Sequence, residues 1–227
     1  KTVRLYVFDC GVINVNRAGT ERYKVTPEEV GETRFSVPCF LVVHPKGTLM
    51  WDLGILPDDT VEARARGEQG NPTATSAAVT TVPRTLASQL ADLGYRPADI
   101  MYFAFSHAHV DHNANANLFA ASTWLARPAE RAFMWEEGNM RVNRTFFDKI
   151  KDSKSISLDK DEYDVFGDGK VVLKAAPGHS PGHQVLVLNL AKTGRVMVAG
   201  DLYHYPQERT LHRPPPDTEF NVQQSAA

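Results

Sequence analysis

The stretch SHAHVDHNANANLF at 106–119 decides how the rest of the chain is read. It follows an apolar run, IMYFAF at 100–105, so its histidines begin where a strand runs out into a loop. Four side chains of metal-ligand type, His107, His109, Asp111 and His112, fall within six residues. Imidazole nitrogen and carboxylate oxygen are good zinc donors, and a catalytic zinc takes three protein ligands plus an open position for water. His107 and His109, two apart on a locally extended chain, project to one side and can grip one ion. Asp111 and His112, on the following turn, can face a second ion a few ångströms away. The ordinary alternative is a polar helix start capped by Asp111 or Asn113. Three of the chain's eight histidines in six residues argue against it.

Two further groups extend the pattern. APGHSPGHQ at 176–184 places His179 in a Gly/Pro-rich turn before a strand, and VAGD at 198–201 places Asp201 at the end of the next strand. A carboxylate has two oxygens and can bridge two cations, which fixes the separation of about 3.5–4 Å typical of two-metal hydrolases. His179 alone reads equally well as a structural loop residue, and Asp201 alone as a turn residue. Their order after the first cluster, each at a strand end, makes them the remaining ligands.

Elsewhere the chain excludes more than it specifies. In its 227 residues Lys+Arg 25 balance Asp+Glu 27, with both signs scattered, so no broad basic face is available for a nucleic-acid backbone. The longest apolar run, 37–43, is about seven residues against the ~20 that a membrane span needs. Cys10 and Cys39 sit in apolar contexts without CxxC spacing and read as two buried thiols. The first residue is Lys1 rather than Met, which we read as upstream residues having been removed; a soluble chain, cytoplasmic or exported to the periplasm, is expected.

Strand-like runs recur at 3–8, 38–43, 48–52, 100–105, 123–126, 170–175, 184–190 and 195–198. FGDGK at 166–170 and AKTGR at 191–195 carry hairpin-turn chemistry, so antiparallel pairing is expected in the second half. Helices are expected at 83–93, with Thr81 as cap and Leu86, Leu90 and Leu93 on one face, and at 128–135. Residues 57–80 read as a long loop or lid. GTLMWDLG at 47–54 faintly echoes GRVMVAGD at 194–201. Strands, then helices, then strands again imply an α+β layered unit, taken as one domain over 1–227.

HAHVDH at 107–112, GHSPGH at 178–183 and the Asp of AGD at 199–201 resemble the metallo-β-lactamase superfamily of hydrolases. WDLG at 51–54 looks like that superfamily's early Asp-x-Gly element, whose carboxylate, here Asp52, supports the site from behind. Within the superfamily the chain most resembles the N-acyl homoserine lactonases, through LYVFDCG, VPCFLVVHPKGTLMWDLG, SHAHVDHNANANLF, YDVFGDGKVVLKAAPGHSPGHQ and AGDLYHYPQERTL. The resemblance implies a four-layer αβ/βα sandwich and two divalent metal ions, zinc foremost. It assigns His107, His109 and His179 to one ion, Asp111 and His112 to the other, and Asp201 as the bridge. A last histidine of the family pattern is missing: after Asp201 only His204 and His212 occur, too close to the bridging strand to match it. The sequence therefore reads as lacking the C-terminal end of the fold, with a weakened second site. Zinc, iron, cobalt and manganese all suit such N/O donors.

Function follows as an expectation. Water activated by the ions attacks the lactone carbonyl of an acyl homoserine lactone, a quorum-sensing signal, and Asp111 or a water supplies the proton to the leaving alkoxide. The resemblance also implies a tyrosine against the substrate carbonyl or ester oxygen; Tyr203 and Tyr205 are the candidates, sent to one face by strand alternation. His183 reads as an orienting or structural residue and His44 as a surface residue. Phe146, Phe147, Met134, Met140 and Trp135 could line an acyl pocket, though such residues more often build core. The expected partner is a small-molecule lactone, with a homodimer left open and neither nucleic acid nor membrane span expected. The rivals are a thioester hydrolase of glyoxalase II type, a β-lactamase or phosphoesterase of the same fold, and a metal-binding protein without turnover. An RNA-processing nuclease is disfavoured by the charge, and a diiron oxygen-reducing protein by His109, where that branch wants a carboxylate.

Overall fold

The computed structural model describes residues 2–68, 78–217 and 219–226. Its strands in chain order are β1 (Arg4–Val15), β2 (Phe35–His44), β3 (Gly47–Trp51), β4 (Ala78–Thr81), β5 (Tyr102–Ala104), β6 (Thr123–Ala126), β7 (Ser155–Ser157), β8 (Glu162–Asp164), β9 (Val171–Ala175), β10 (Gln184–Leu190) and β11 (Gly194–Val198). They form a seven-stranded sheet in the order β4-β1-β2-β3-β5-β6-β7 and a four-stranded sheet in the order β11-β10-β9-β8.

Side chains alternate across a strand, so a strand covered on both faces is apolar throughout. Leu41, Met50, Phe103 and Trp124 pack against Leu86 and Leu90 of helix Leu86–Asp92 and against Phe133 and Met134 of helix Pro128–Trp135. Their neighbours Val42, Leu49, Trp51, Ala104 and Leu125 instead meet Leu173, Leu186 and Leu188 of the smaller sheet. The molecule thus has one core between helices and the large sheet and a second between the sheets. Each fully buried Leu or Phe in them contributes about 1.5–3 kcal/mol. This is the α+β layering expected from the sequence.

The connections decide where chemistry can sit. β3, β5, β6 and β7 run parallel, and helices cross over between them, so their carboxyl ends open onto one edge. Trp51 and Ala104 are paired at that edge, which brings Asp52 beside Ser106 and His107. The smaller sheet is antiparallel throughout, as the two hairpin turns implied. Its β10 starts at the same edge: Gln184 N–H donates to Ser106 O at 2.9 Å and its Nε2 to Phe105 O at 3.0 Å.

Four sequence expectations change. Cys10 and Cys39 are buried but joined as a disulfide; the antiparallel pairing of β1 with β2, with a bulge between Asp9 and Val12, brings together residues 29 apart. Residues 57–80 are not simply a loop: helix Asp58–Ala65 and β4 occupy its ends, while 69–77 lie outside the described residues. The helix expected at 83–93 spans Leu86–Asp92, capped by Thr85 rather than Thr81, which belongs to β4. Its start is fixed by Asp58, whose carboxylate accepts the N–H groups of Leu86 and Ala87 at 2.7 and 2.8 Å. His44 is buried, not a surface residue: its ring stacks on Phe166 and its Nε2 meets Asp168 at 3.0 Å.

Candidate metal centre

The six side chains expected to bind metal converge at the shared edge of the two sheets. His107 Nε2, His109 Nδ1 and His179 Nε2 face one another at 2.9, 2.9 and 3.2 Å. Zinc–nitrogen bonds of about 2.0–2.1 Å imply ligand separations of roughly 3.3–3.4 Å in a tetrahedron, close to this spacing. A second group forms beside it: His112 Nε2 lies 3.5 Å from Asp111 Oδ2 and 3.2 Å from Asp201 Oδ1. The other oxygen of Asp201, Oδ2, lies 3.4 Å from His179 Nε2 and 3.9 Å from His107 Nε2. The carboxylate is thus divided between the two groups, as a bridge requires.

The surroundings hold these rings from behind. His107 Nδ1 meets Ser106 Oγ at 3.1 Å, and His112 Nδ1 faces Asp52 Oδ2 at 3.2 Å. Asp52 also accepts the Ser106 N–H at 2.7 Å, with its own backbone at the left-handed φ of 52°. His179 Nδ1 donates to Glu219 Oε1 at 2.9 Å, and Ser225 Oγ donates to Glu219 Oε2 at 2.7 Å. With the outward nitrogens of His107 and His179 so engaged, their inward lone pairs point at each other and at His109, an arrangement that a cation relieves. The donor set and its spacing therefore fit a pair of divalent ions.

Glu130 joins the two loops that carry the first group. Its buried carboxylate accepts the Ala108 N–H at 2.7 Å, the Ser180 hydroxyl at 2.7 Å and the Gly182 N–H at 2.8 Å. Burial pushes the Glu130 carboxyl up, and these three donors partly offset that rise. The glycines of GHSPGH and AGD are explained by close approach: a Cβ on Gly182 would sit 2.5 Å from Glu130 N, and one on Gly200 2.6 Å from Ser106 Cβ. His183 takes the orienting role expected of it, accepting the Asp201 N–H at Nε2 while its Nδ1 meets Ala176 O.

Charge divides the site in two. Burial, reinforced by the neighbouring imidazoles, pushes His107 far below the ordinary histidine range and His109 down to about 4. Around His112 burial is outweighed by Asp111, Asp201 and Asp52, which hold it well above that range. Burial likewise opposes the charge on Asp201, but His112 and its other imidazole neighbours hold that carboxyl well below the usual carboxylate range.

Asp52, Asp111, His112 and Asp201 line one end of a cleft of about 640 Å³, within the size range of small-molecule sites. Apolar side chains, Ile13, Val15, Val30, Phe35 and Val37, also line it. The acyl-pocket candidates of the sequence reading do not line it. Met134 and Phe147 are fully buried in the helix-side core, Phe146 and Trp135 pack against that core, and Met140 is exposed. Tyr203 and Tyr205 both line the cleft but lie outside any strand, so alternation does not govern them. Tyr203 is 53% exposed, whereas Tyr205 is buried with its hydroxyl donated to Thr33 O at 2.8 Å. Tyr23, which the sequence reading does not weigh, and His204, which it sets aside as too close to the bridging strand, stand near the metal-site residues: their rings meet at 4.2 Å, and His204 Nε2 lies 3.7 Å from Asp201 Oδ2.

Known proteins share the family and fold of this chain. The N-acyl homoserine lactonase AttM of Azorhizobium caulinodans is 29% identical over 204 residues, covering 88% of this chain and 76% of that protein. The N-acyl homoserine lactonase of Bacillus cereus is 25% identical over 199 residues, covering 87% and 75%. Among solved structures, an N-acyl homoserine lactone hydrolase with the product N-hexanoyl-L-homoserine at its catalytic metal centre superposes with TM-score 0.72 at 22% identity, over 99% of this chain and 85% of that one. The dizinc quorum-quenching lactonase AidC does so with TM-score 0.67 at 15% identity, over 100% and 81%. These two likenesses are of fold. Residues 33–225 match the Metallo-beta-lactamase superfamily, and the chain belongs to that superfamily.

Proposed function

We propose that this protein is a metal-dependent hydrolase that opens the lactone ring of N-acyl homoserine lactones. The observation that carries the reading is the division of Asp201 between an all-imidazole group and a carboxylate-flanked imidazole, in a cleft whose wall also carries Ile13, Val15, Val30 and Val37. The names of the similar proteins support the substrate class.

His107, His109 and His179 would hold one divalent ion, Asp111 and His112 the other, with Asp201 between them; zinc is the expected metal. When bound, such ions polarise a carbonyl and bring the pKa of water toward ~7, supplying a nucleophile at neutral pH. The chain's residues do the rest. The apolar wall formed by Ile13, Val15, Val30 and Val37 suits an acyl chain and leaves the ring at the polar end. Burial and the nearby Asp201 charge push the Tyr23 phenol up, so it stays protonated as a hydrogen-bond donor in the cleft. Asp111, also on the cleft wall, is placed to hold and pass on the proton that the leaving alkoxide needs.

The test is a paired incubation of metal-loaded protein with N-hexanoyl homoserine lactone and S-lactoylglutathione. Ring opening of the lactone, with little thioester cleavage, is expected. Thioester cleavage with the lactone left intact would overturn the substrate assignment.

A further inference from the structure

Sequence spacing argues against His204 as a ligand, because it follows the bridging Asp201 by only three residues. The structure undoes that objection. The chain does not continue as a strand after Asp201: Gly200–Leu202 form one turn of 3-10 helix, with the left-handed Gly200 before Asp201. This turn swings His204 back under its neighbour. Its Nε2 joins His179 Nε2 and Asp201 Oδ2 as three donor atoms within 4.8 Å of one another, the spacing at which the other two donor groups of the site are also found.

The rest of the residue is held in place. The side chain is 8% exposed, its ring tilted against Tyr23 at 4.2 Å, with its centroid 5.3 Å from that of His179. Behind it Glu208 accepts the backbone N–H of His204 and faces Nδ1 at 3.6 Å, while Nδ1 itself has no hydrogen-bond partner. An imidazole with a carboxylate behind one nitrogen and the Asp201 carboxylate before the other has the arrangement of a metal-bound histidine.

We propose that His204 is a further metal ligand, acting through Nε2 on the Asp201 Oδ2 side, together with His179. This deepens the reading of the site as a two-ion centre and rests on it. The ligand adds to the histidine-rich side, not to the side of Asp111 and His112, so it widens the difference between the two ions.

The test compares wild-type protein, His204→Phe and His204→Gln, each stripped of metal and reloaded with zinc or cobalt. Chelator competition gives the affinity of each ion, and the visible spectrum of the cobalt form reports the donors directly. In His204→Phe the tighter ion should weaken by at least about tenfold, the weaker one should change little, and the cobalt bands should shift. His204→Gln keeps polarity and size, and should show the same spectral shift even if the phenylalanine variant does not fold. Unchanged affinities and cobalt spectra in a folded variant would overturn the proposal while leaving the two-ion reading standing. A wild-type chain that takes up no metal would overturn both.

Discussion

The two halves of the metal centre are built on opposite electrostatic plans. One gathers the imidazoles of His107, His109 and His179, and burial keeps His107 and His109 unprotonated and ready for a cation. The other sets His112 among Asp52, Asp111 and Asp201, so that it carries a proton which an ion must expel. The first half is pre-organised; the second exchanges one cation for another. Asp201 belongs to both, and on the two-ion reading it would couple a tightly held ion to a more labile one.

The largest effect should come from removing the pre-organised half. His107→Ala eliminates a donor that no neighbour replaces, so lactone opening should fall to background and metal content should drop, as measured by hydrolysis assay and elemental analysis. Retention of two ions with most of the activity would break the assignment. Asp201→Asn should come next, lowering kcat/KM by at least about 100-fold, a larger effect on catalysis than on the thermal stability of the metal-free chain. A large loss of that stability would mark Asp201 as a structural residue instead.

The supporting carboxylates sharpen the comparison because each touches one half. Asp52→Asn should weaken the ion at His112 by about 10–100-fold, and Glu219→Gln the ion at His179 by a similar factor, each sparing the other. Chelator titration of the two variants checks this through the separate stripping steps.

The smallest expected effect is on pH dependence. His112 is raised above its ordinary value of 6.5, so in the metal-free chain its proton contributes stability that is complete below that value and lost as pH rises through the folded value. The ion in that half displaces the proton, and its affinity should climb with pH across the same window. With His109 lowered to about 4, the first ion's affinity should be nearly flat above pH 6.5, the ordinary histidine value. Calorimetry in buffers of different ionisation enthalpy should show about one more proton released with the second ion than with the first.

How much of this could be read from the sequence follows from how far apart the partners lie along the chain. His107, His109, Asp111 and His112 are legible because the motif is local, and His179 and Asp201 because each sits in a Gly-rich turn at a strand end. Glu130 and Glu219 give no local signal; they reach the site through a helix and a C-terminal segment that only tertiary packing brings close. The disulfide is hidden for the same reason, since the register of β1 on β2, not spacing, sets Cys10 against Cys39. The tyrosines are misplaced by extending strand periodicity past Asp201, where the backbone turns, and the role proposed for His204 is hidden by counting its distance from Asp201 along the chain. The faint echo between 47–54 and 194–201 has a physical counterpart: each segment is a strand that delivers an aspartate, Asp52 or Asp201, to His112.

The most direct test is a titration of zinc into the metal-free chain with lactone opening followed at each addition. The first equivalent should bind without appreciable hydrolysis, and activity should rise with the second and saturate at two ions per chain, because the ion at Asp111 and His112 completes the reactive end of the cleft. Full activity at one ion per chain, or two ions bound with the lactone left intact, would contradict the account.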